Sequence, residues 1–329
     1  MPVLDVTVAG ELNLDLILYG LPDELAPERE LLADGLSLTL GSSSAIFAHN
    51  LATLGSRVGF ISRIGNDPLG EIALSRLAVG GVDVSKVRKV SGPTSTGLTV
   101  ILPRAKFRNI LTYAGTMFEM CLEDLDLDYL ASARHFHLSS FFLHRALRPR
   151  ILELFRRMKS AGLTISLDTN DDPDDRWDRD LHETFRYVDV FLPNAREAMK
   201  IAGVDNLEAA VDRLAALVPV LAVKLGPEGA MARRGAERFT CPAVNVEAID
   251  PVGAGDSFDA GFIHQYVRGA DPPTCLAFGN LAGAFSTTRP GGTEAFREHK
   301  HLEDFLARHW KQGGSSAIPP AHSSLKANP

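Results

Sequence analysis

The stretch Asp250-Pro251-Val252-Gly253-Ala254-Gly255-Asp256 decides how this chain is read. It opens a helical pattern that runs to about Val267. Gly253, Ala254 and Gly255 let backbone N–H groups approach a ligand without side-chain obstruction. They sit at a helix N-terminus, where exposed N–H groups and the helix dipole favour an anion. Asp256 falls in the first turn, facing the same space. A carboxylate beside an anion hole can take a proton from an attacking hydroxyl while the amides hold a transferring phosphoryl group. Taken alone, the motif also reads as a glycine turn with an N-capping acid. The small residues Ala260 and Gly261, with Phe258 and Phe262, add a helix packed tightly on a sheet, which would hold Asp256 rigidly.

Outward from this motif, apolar β-rich segments alternate with helical patterns, as in α/β units around a largely parallel sheet. Strands are expected at Val3–Ala9, Val58–Ile61, Phe136–Leu138, Leu163–Leu167, Val188–Leu192 and Val220–Leu225. Helices are expected at Ala45–Leu54, Leu69–Ala78, Arg148–Ser160, Asn194–Ala202, Leu207–Leu217 and Ala254–Val267. Glycines 55, 162, 203 and 269 close several of these helices. Residues from about 11 to 40 and from about 93 to 114 instead show strand-like alternation with no helix between. Short antiparallel strands fit there, as a small sheet of the kind that forms a lid.

The 329 residues carry a net charge of −7, which argues against nucleic acid or an anionic membrane as the main partner. No apolar run of about 18 residues suggests a membrane helix, and no secretory signal opens the chain. Cys121, Cys241 and Cys275 are far apart and read as buried or partly buried thiols, which implies a cytoplasmic, reducing compartment. Residues 313–329 are rich in Gly, Ser, Pro and Ala and read as a disordered tail. His135 and His137 share a face of a strand, but without a third placed ligand they read as packing or surface residues. The acidic group Asp168, Asp171, Asp172, Asp174 and Asp175 lacks EF-hand spacing and reads as a solvated loop.

The run Asp250 to Ile263, DPVGAGDSFDAGFI, resembles the C-terminal signature of the ribokinase-like (PfkB) carbohydrate kinases. The resemblance implies that Asp256 is the catalytic base and that Gly253, Ala254 and Gly255 form the anion hole. Further motifs follow in the family's order along nearly the whole chain. Gly10-Glu11-Leu12-Asn13-Leu14-Asp15 resembles the first strand, whose acid, here Asp15, binds acceptor hydroxyls. A carboxylate can accept two such bonds. Gly41-Ser42-Ser43-Ser44-Ala45, with Asn50, Leu54 and Gly55, resembles the glycine-rich N-terminal signature. In it Gly41 would admit substrate closely, and Ser44 would cap the helix beginning at Ala45. Asn13, Gly41, Ser42 and Asn50 thus join Asp15 as acceptor-binding candidates. Residues 65–70 resemble the family's GxDxxG turn. Two departures stand out: Ile46 replaces an asparagine used for sugar binding, and Ser42 replaces the second glycine of a pair. The acceptor pocket is therefore not expected to copy that of ribokinase.

Asn194-Ala195-Arg196-Glu197 resembles the family's NxxE motif, which organises Mg²⁺ and its waters near the nucleotide phosphates; by itself it is a capped helix start. Residues 223–230 resemble the turn that touches ATP, giving Lys224, Gly226 and Gly229 as nucleotide contacts. Asn280, between Gly279 and Gly283, resembles the adenine-pocket segment, closed by residues 289–292. Asp250 and the loop near Gly291 correspond to a monovalent-cation site in some relatives, so K⁺ is a candidate activator. Lid strands in this family often pair between subunits, which implies a homodimer.

The expected protein is one α/β domain over residues 1–312: a Rossmann-like, doubly wound, mostly parallel sheet flanked by helices, with discontinuous lid segments at about 11–40 and 93–114. ATP would lie at the carboxyl ends of the strands, and Asp256 would deprotonate a primary hydroxyl of a sugar-like acceptor. A nucleoside kinase on the same fold is the first rival reading. A non-catalytic sugar- or nucleotide-binding regulator is the second, although a pure binder has no need for Asp256 with Asn194 and Glu197. Neither GxGxxG after the first strand nor GxxxxGK[ST] occurs.

Overall fold

Val6 and Val8 face one side of the first strand and Ala9 the other, all fully buried, as a parallel strand covered on both faces requires. The computed structural model describes residues 4–104, 108–177 and 179–310. In chain order the first half holds β1 (Val6–Ala9), β2 (Leu14–Tyr19), β3 (Gly35–Leu40), α1 (Ser43–Thr53), β4 (Val58–Ile61), β5 (Arg63–Gly65) and α2 (Pro68–Val79). There follow β6 (Arg88–Val90), β7 (Leu98–Pro103), β8 (Arg108–Tyr113), α3 (Leu127–Leu130), β9 (His135–Leu138), α4 (Ile151–Ser160) and β10 (Thr164–Leu167). The second half continues with α5 (Arg179–Thr184), β11 (Val190–Phe191), α6 (Ala195–Ala202), α7 (Leu207–Ala215) and β12 (Val220–Lys224). It ends with β13 (Ala230–Arg234), β14 (Glu237–Cys241), α8 (Ala254–Tyr266), α9 (Pro272–Ser286) and α10 (His299–His309).

Eight strands form the main sheet in the order β14-β13-β12-β11-β10-β9-β1-β4, parallel from β12 to β4. The chain leaves β1 for β4 on one side, then returns to β9 on the other. The order therefore reverses between β1 and β9, and a crevice opens at their carboxyl ends. Helices α1 and α8 cover one face with Phe47, Phe258 and Phe262; α4, α6 and α7 cover the other with Leu154, Phe155 and Val211. The antiparallel hairpin β13–β14 carries no signal in the sequence patterns above. Arg233, Arg234, Glu237 and Arg238 charge this edge, which discourages pairing with another chain.

The two stretches without helix patterns form a separate four-stranded sheet, β3-β2-β7-β8. Each stretch is an antiparallel pair, as expected, but β2 and β7 join them in parallel. Asp67 ties this sheet to the main body. Its Oδ1 accepts the Gly70 amide at 2.9 Å as the N-cap of α2, and its Oδ2 accepts the Thr96 amide at 2.7 Å just before β7. Glycines 55, 162, 203 and 269 all take positive φ where the helices end. The three cysteines are free thiols, Cys275 buried and the others partly so. Among the described residues no helix is long and apolar enough to cross a membrane. The expected tail, residues 313–329, and the start of the first expected strand, Val3, lie outside the described residues.

Candidate active site

The crevice between β1 and β9 continues into a cleft of about 210 Å³ beneath the small sheet. Its floor is built just past the carboxyl ends of those two strands. Glu11 is buried there and gathers three segments around its carboxylate. Ser44 Oγ donates to it at 2.7 Å from α1, and Ser140 Oγ at 2.8 Å from the segment after β9. His144 Nε2 lies 3.3 Å away. Burial pushes the Glu11 carboxyl up, but His144 and Ser44 outweigh it and hold it at about 2, so it is ionised. Gly10 is required beside it, because a Cβ there would meet Ser44 Oγ at 2.1 Å.

Ser42, not Ser44, caps α1: its Oγ accepts the Ala45 amide at 3.1 Å and donates to Glu11 O at 2.5 Å. Ser44 is drawn away by Glu11. Ser42 does this at φ 69°, a conformation that favours glycine. Gly41 serves Asp15, since a Cβ there would lie 2.2 Å from Asp15 Oδ1. Asp15, on β2, faces the cleft and is pushed up to about 7 by burial and by the charge of Asp256. Asn13 donates to Thr99 Oγ1 at 3.3 Å, while its buried Oδ1 has no partner. Asn50 lies behind the cleft; its Nδ2 donates to Ser257 Oγ and Gly292 O, both at 2.9 Å, latching α1 to α8.

Helix α8 begins at Gly253, with φ 73° and no side-chain cap. The Ala254 amide donates to Pro251 O at 3.2 Å, which leaves the amides of Gly255 and Asp256 for an incoming anion. A Cβ on Gly253 would stand 2.5 Å from Gly292 Cα. Asp256 lines the cleft and is pushed up to about 6 by burial and by the charge of Asp168. The charge of Lys224 draws it back down, as does a hydrogen bond with Ser43, whose Oγ accepts from Asn170 Nδ2 at 2.8 Å.

Beyond Asp256, the ends of β10, β11 and β12 converge on one largely enclosed ammonium. Lys224 Nζ lies 2.7 Å from Asp168 Oδ2 and 3.1 Å from Asp259 Oδ2. Asn194 and Glu197 form a reciprocal cap at the start of α6, beside Lys224. Burial and Asp168 push the Glu197 carboxyl up to about 7. Asn280 spends its amide on Cys241 O and Pro242 O, at 2.9 and 3.0 Å. Gly229 is needed where a Cβ would meet Cys241 O at 2.1 Å, whereas Gly226 faces open space. Asp250 accepts the Val252 amide at 3.0 Å and the Gly291 amide at 2.9 Å, so it latches the α8 entry loop.

The profile of the pfkB family carbohydrate kinases matches residues 3–299. The chain belongs to the PfkB carbohydrate kinase family. It is 31% identical to an ATP-dependent ribose-1-phosphate kinase of Halopiger xanaduensis, over 78% of its own length and 82% of that protein's. It is 28% identical to a 2-dehydro-3-deoxygluconokinase of Bacillus subtilis, over 83% of this chain and 90% of the relative. An E. coli protein assigned as ribokinase II, solved in complex with ATP and Mg²⁺, superposes with a TM-score of 0.79. That structure is 26% identical, with 93% of this chain and 100% of the other covered.

Within this PfkB kinase, several residues of the site carry no signal of their own in the sequence. Asp168 does not belong to a solvated loop: it is 1% exposed and bound to Lys224, and Asp172 is buried with it, accepting the Asp174, Arg176 and Trp177 amides. Asp171, Asp174 and Asp175 are the solvated members. Asp259, one turn beyond Asp256, could be read only as another helix residue. His135 and His137 are buried and packed, as expected. Their ring nitrogens bond to Thr164, Ser166 and Ser139, each at 2.7 Å. The wall made by Thr99, Ile101, Arg108, Ile110 and Thr112 has only its strand alternation to announce it.

Proposed function

We propose that this PfkB kinase transfers the γ-phosphoryl group of ATP to a primary hydroxyl of a sugar or sugar-like acceptor, with Asp256 as general base. The observation that carries the reading is the uncapped start of α8, where a buried, cleft-facing carboxyl with a raised proton affinity stands beside free amides. Asp256 at about 6 is ionised at neutral pH yet basic enough to accept a hydroxyl proton in the transition state. Asp15 and the unpaired Oδ1 of Asn13 would hold acceptor hydroxyls, and the Gly255 and Asp256 amides would offset charge on the transferring group. Closure of the small sheet as a lid would exclude water from the reacting atoms.

Lys224, Gly226 and the region of Asn280 are proposed to flank the nucleotide. Asn194 and Glu197 carry the oxygen atoms that Mg²⁺ prefers but already cap one another, and among the described residues no three acidic or imidazole side chains converge on one point, so these residues would hold Mg²⁺ largely through its waters. Bound there, Mg²⁺ would neutralise phosphate charge. A monovalent cation at Asp250 would reinforce its latch on Gly291; comparing potassium with tetramethylammonium salts measures that share. A cytosolic homodimer is proposed, with a second copy covering the open face of the small sheet, where Leu36 is 67% exposed and Leu111 55%.

The test is ADP release from Mg-ATP across sugars, sugar acids, sugar phosphates and nucleosides, with Asp256→Asn alongside. Turnover with one acceptor class, lost in the variant while ATP binding persists, upholds the proposal. Equal turnover by the variant overturns the role of Asp256, and a preference for nucleosides transfers the acceptor to the rival class.

A further inference from the structure

We propose that the acceptor carries an anionic group, carboxylate or phosphate, and that Arg108 at the mouth of the cleft reads it. The inference rests on the phosphotransferase reading above and names the acceptor class it left open. Its basis is the register of the β7–β8 pair. Thr99 opposes Thr112, Ile101 opposes Ile110, and Pro103 opposes Arg108. Side chains alternate along a strand, so Arg108, Ile110 and Thr112 share one face of β8, and that face lines the cleft. The wall therefore changes character along its length. It is hydroxylic at the floor, where Thr99 bonds both Asn13 and Thr112, then apolar at Ile101 and Ile110, then cationic at Arg108.

Arg108 lies four residue steps along the strand from Thr112, roughly 14 Å at the usual rise. That span suits a hexose-sized chain together with the reach of the arginine itself. The floor admits hydroxyls and repels anions, because Asp15, Asp256 and the unpaired Asn13 Oδ1 all call for donors. A negative group on the acceptor must then point outward. Arg108 is the one cation lining the cleft among the described residues, and none of them forms a hydrogen bond or ion pair with it. The planar fork suits a carboxylate or a phosphate equally.

Two pairs of acceptors separate these sources: D-ribose 1-phosphate against D-ribose, and 2-dehydro-3-deoxygluconate against 2-deoxyglucose. Each is measured by ADP release and by calorimetric binding, with wild type, Arg108→Gln and Arg108→Lys. Arg108 is exposed and these changes leave the fold unburdened. The charged member of one pair should exceed its neutral partner by about tenfold or more in kcat/KM. Arg108→Gln should cost that member on the order of 10- to 100-fold, the usual weight of a charged hydrogen bond, and change the neutral one by less than about twofold. Arg108→Lys should recover part of the loss, which a merely structural role would not produce. Whichever pair responds identifies the anion. Equal use of neutral and charged acceptors by wild type overturns the inference, as does a loss in Arg108→Gln shared by both. If nothing is turned over, Arg108-dependent binding of a charged member still upholds it while refuting phosphoryl transfer. Binding indifferent to Arg108 overturns it as well.

Discussion

Helices α1 and α8 both begin at the cleft on a residue with positive φ, Ser42 at 69° and Gly253 at 73°, yet the two termini are finished differently. Ser42 closes its own helix by accepting the Ala45 amide, and it is held in place by Glu11 O. Gly253 leaves α8 uncapped. A capped terminus is a structural part, satisfied within the fold; an uncapped one beside a cleft has amides to offer a ligand. The same backbone geometry thus closes one helix on itself and leaves the other with amides open to a ligand.

The sharpest way to break this contrast is at the carboxyl beside the open terminus. Asp256→Asn should lower kcat by about 10²- to 10⁴-fold, the range for a lost general base, with ATP affinity nearly unchanged in a calorimetric titration. Gly253→Ala should follow. The added Cβ would collide with Gly292 Cα at 2.5 Å and sit at positive φ, so thermal unfolding should register a loss of about 1–3 kcal/mol together with most of the activity. Ser42 should behave in the opposite manner. Ser42→Ala removes the cap and leaves Cβ at positive φ, for a loss of about 1–2 kcal/mol in denaturant melts, whereas Ser42→Gly relieves the backbone and should cost only a few tenths.

Acid titration gives the smallest effect and tests the chemistry of the open terminus directly. Asp256 sits at about 6 and Asp15 at about 7, both raised, so both take up protons as pH falls from neutrality. A protonated Asp256 is no base. The rate should therefore fall below pH 7 and be flat above it, with the midpoint belonging to the interacting pair. A profile flat down to pH 5 would remove Asp256 from the base role.

The α8 motif was legible in sequence because glycine and acid spacing encode a backbone shape that few other stretches adopt. The strand alternation of the main sheet was legible because burial on both faces demands continuous apolar runs. The cap of α1 was not, since Ser42, Ser43 and Ser44 are equivalent as letters and only Glu11, far off in sequence, decides which one turns inward. Asp168 was misread for a related reason. Its neighbours Asp171, Asp174 and Asp175 are solvated, and the charge that draws Asp168 inside, Lys224, comes from another strand. The join of β2 to β7 in parallel, across a long interval of chain, likewise depends on a tertiary anchor at Asp67 and Thr96.

The hydrogen-bonded series Thr164, His135, Ser166, His137 and Ser139 bears on how this fold can change over time. Each member bonds the next, and from His135 to Ser139 all of them are buried. Replacing one alone would leave its neighbours with unmet polar atoms, at about 1–3 kcal/mol apiece. Replacing the set by apolar residues of matching volume removes that penalty. The five positions therefore drift as a single inherited unit, and descendants of this chain should carry either the polar seam entire or an apolar one in its place.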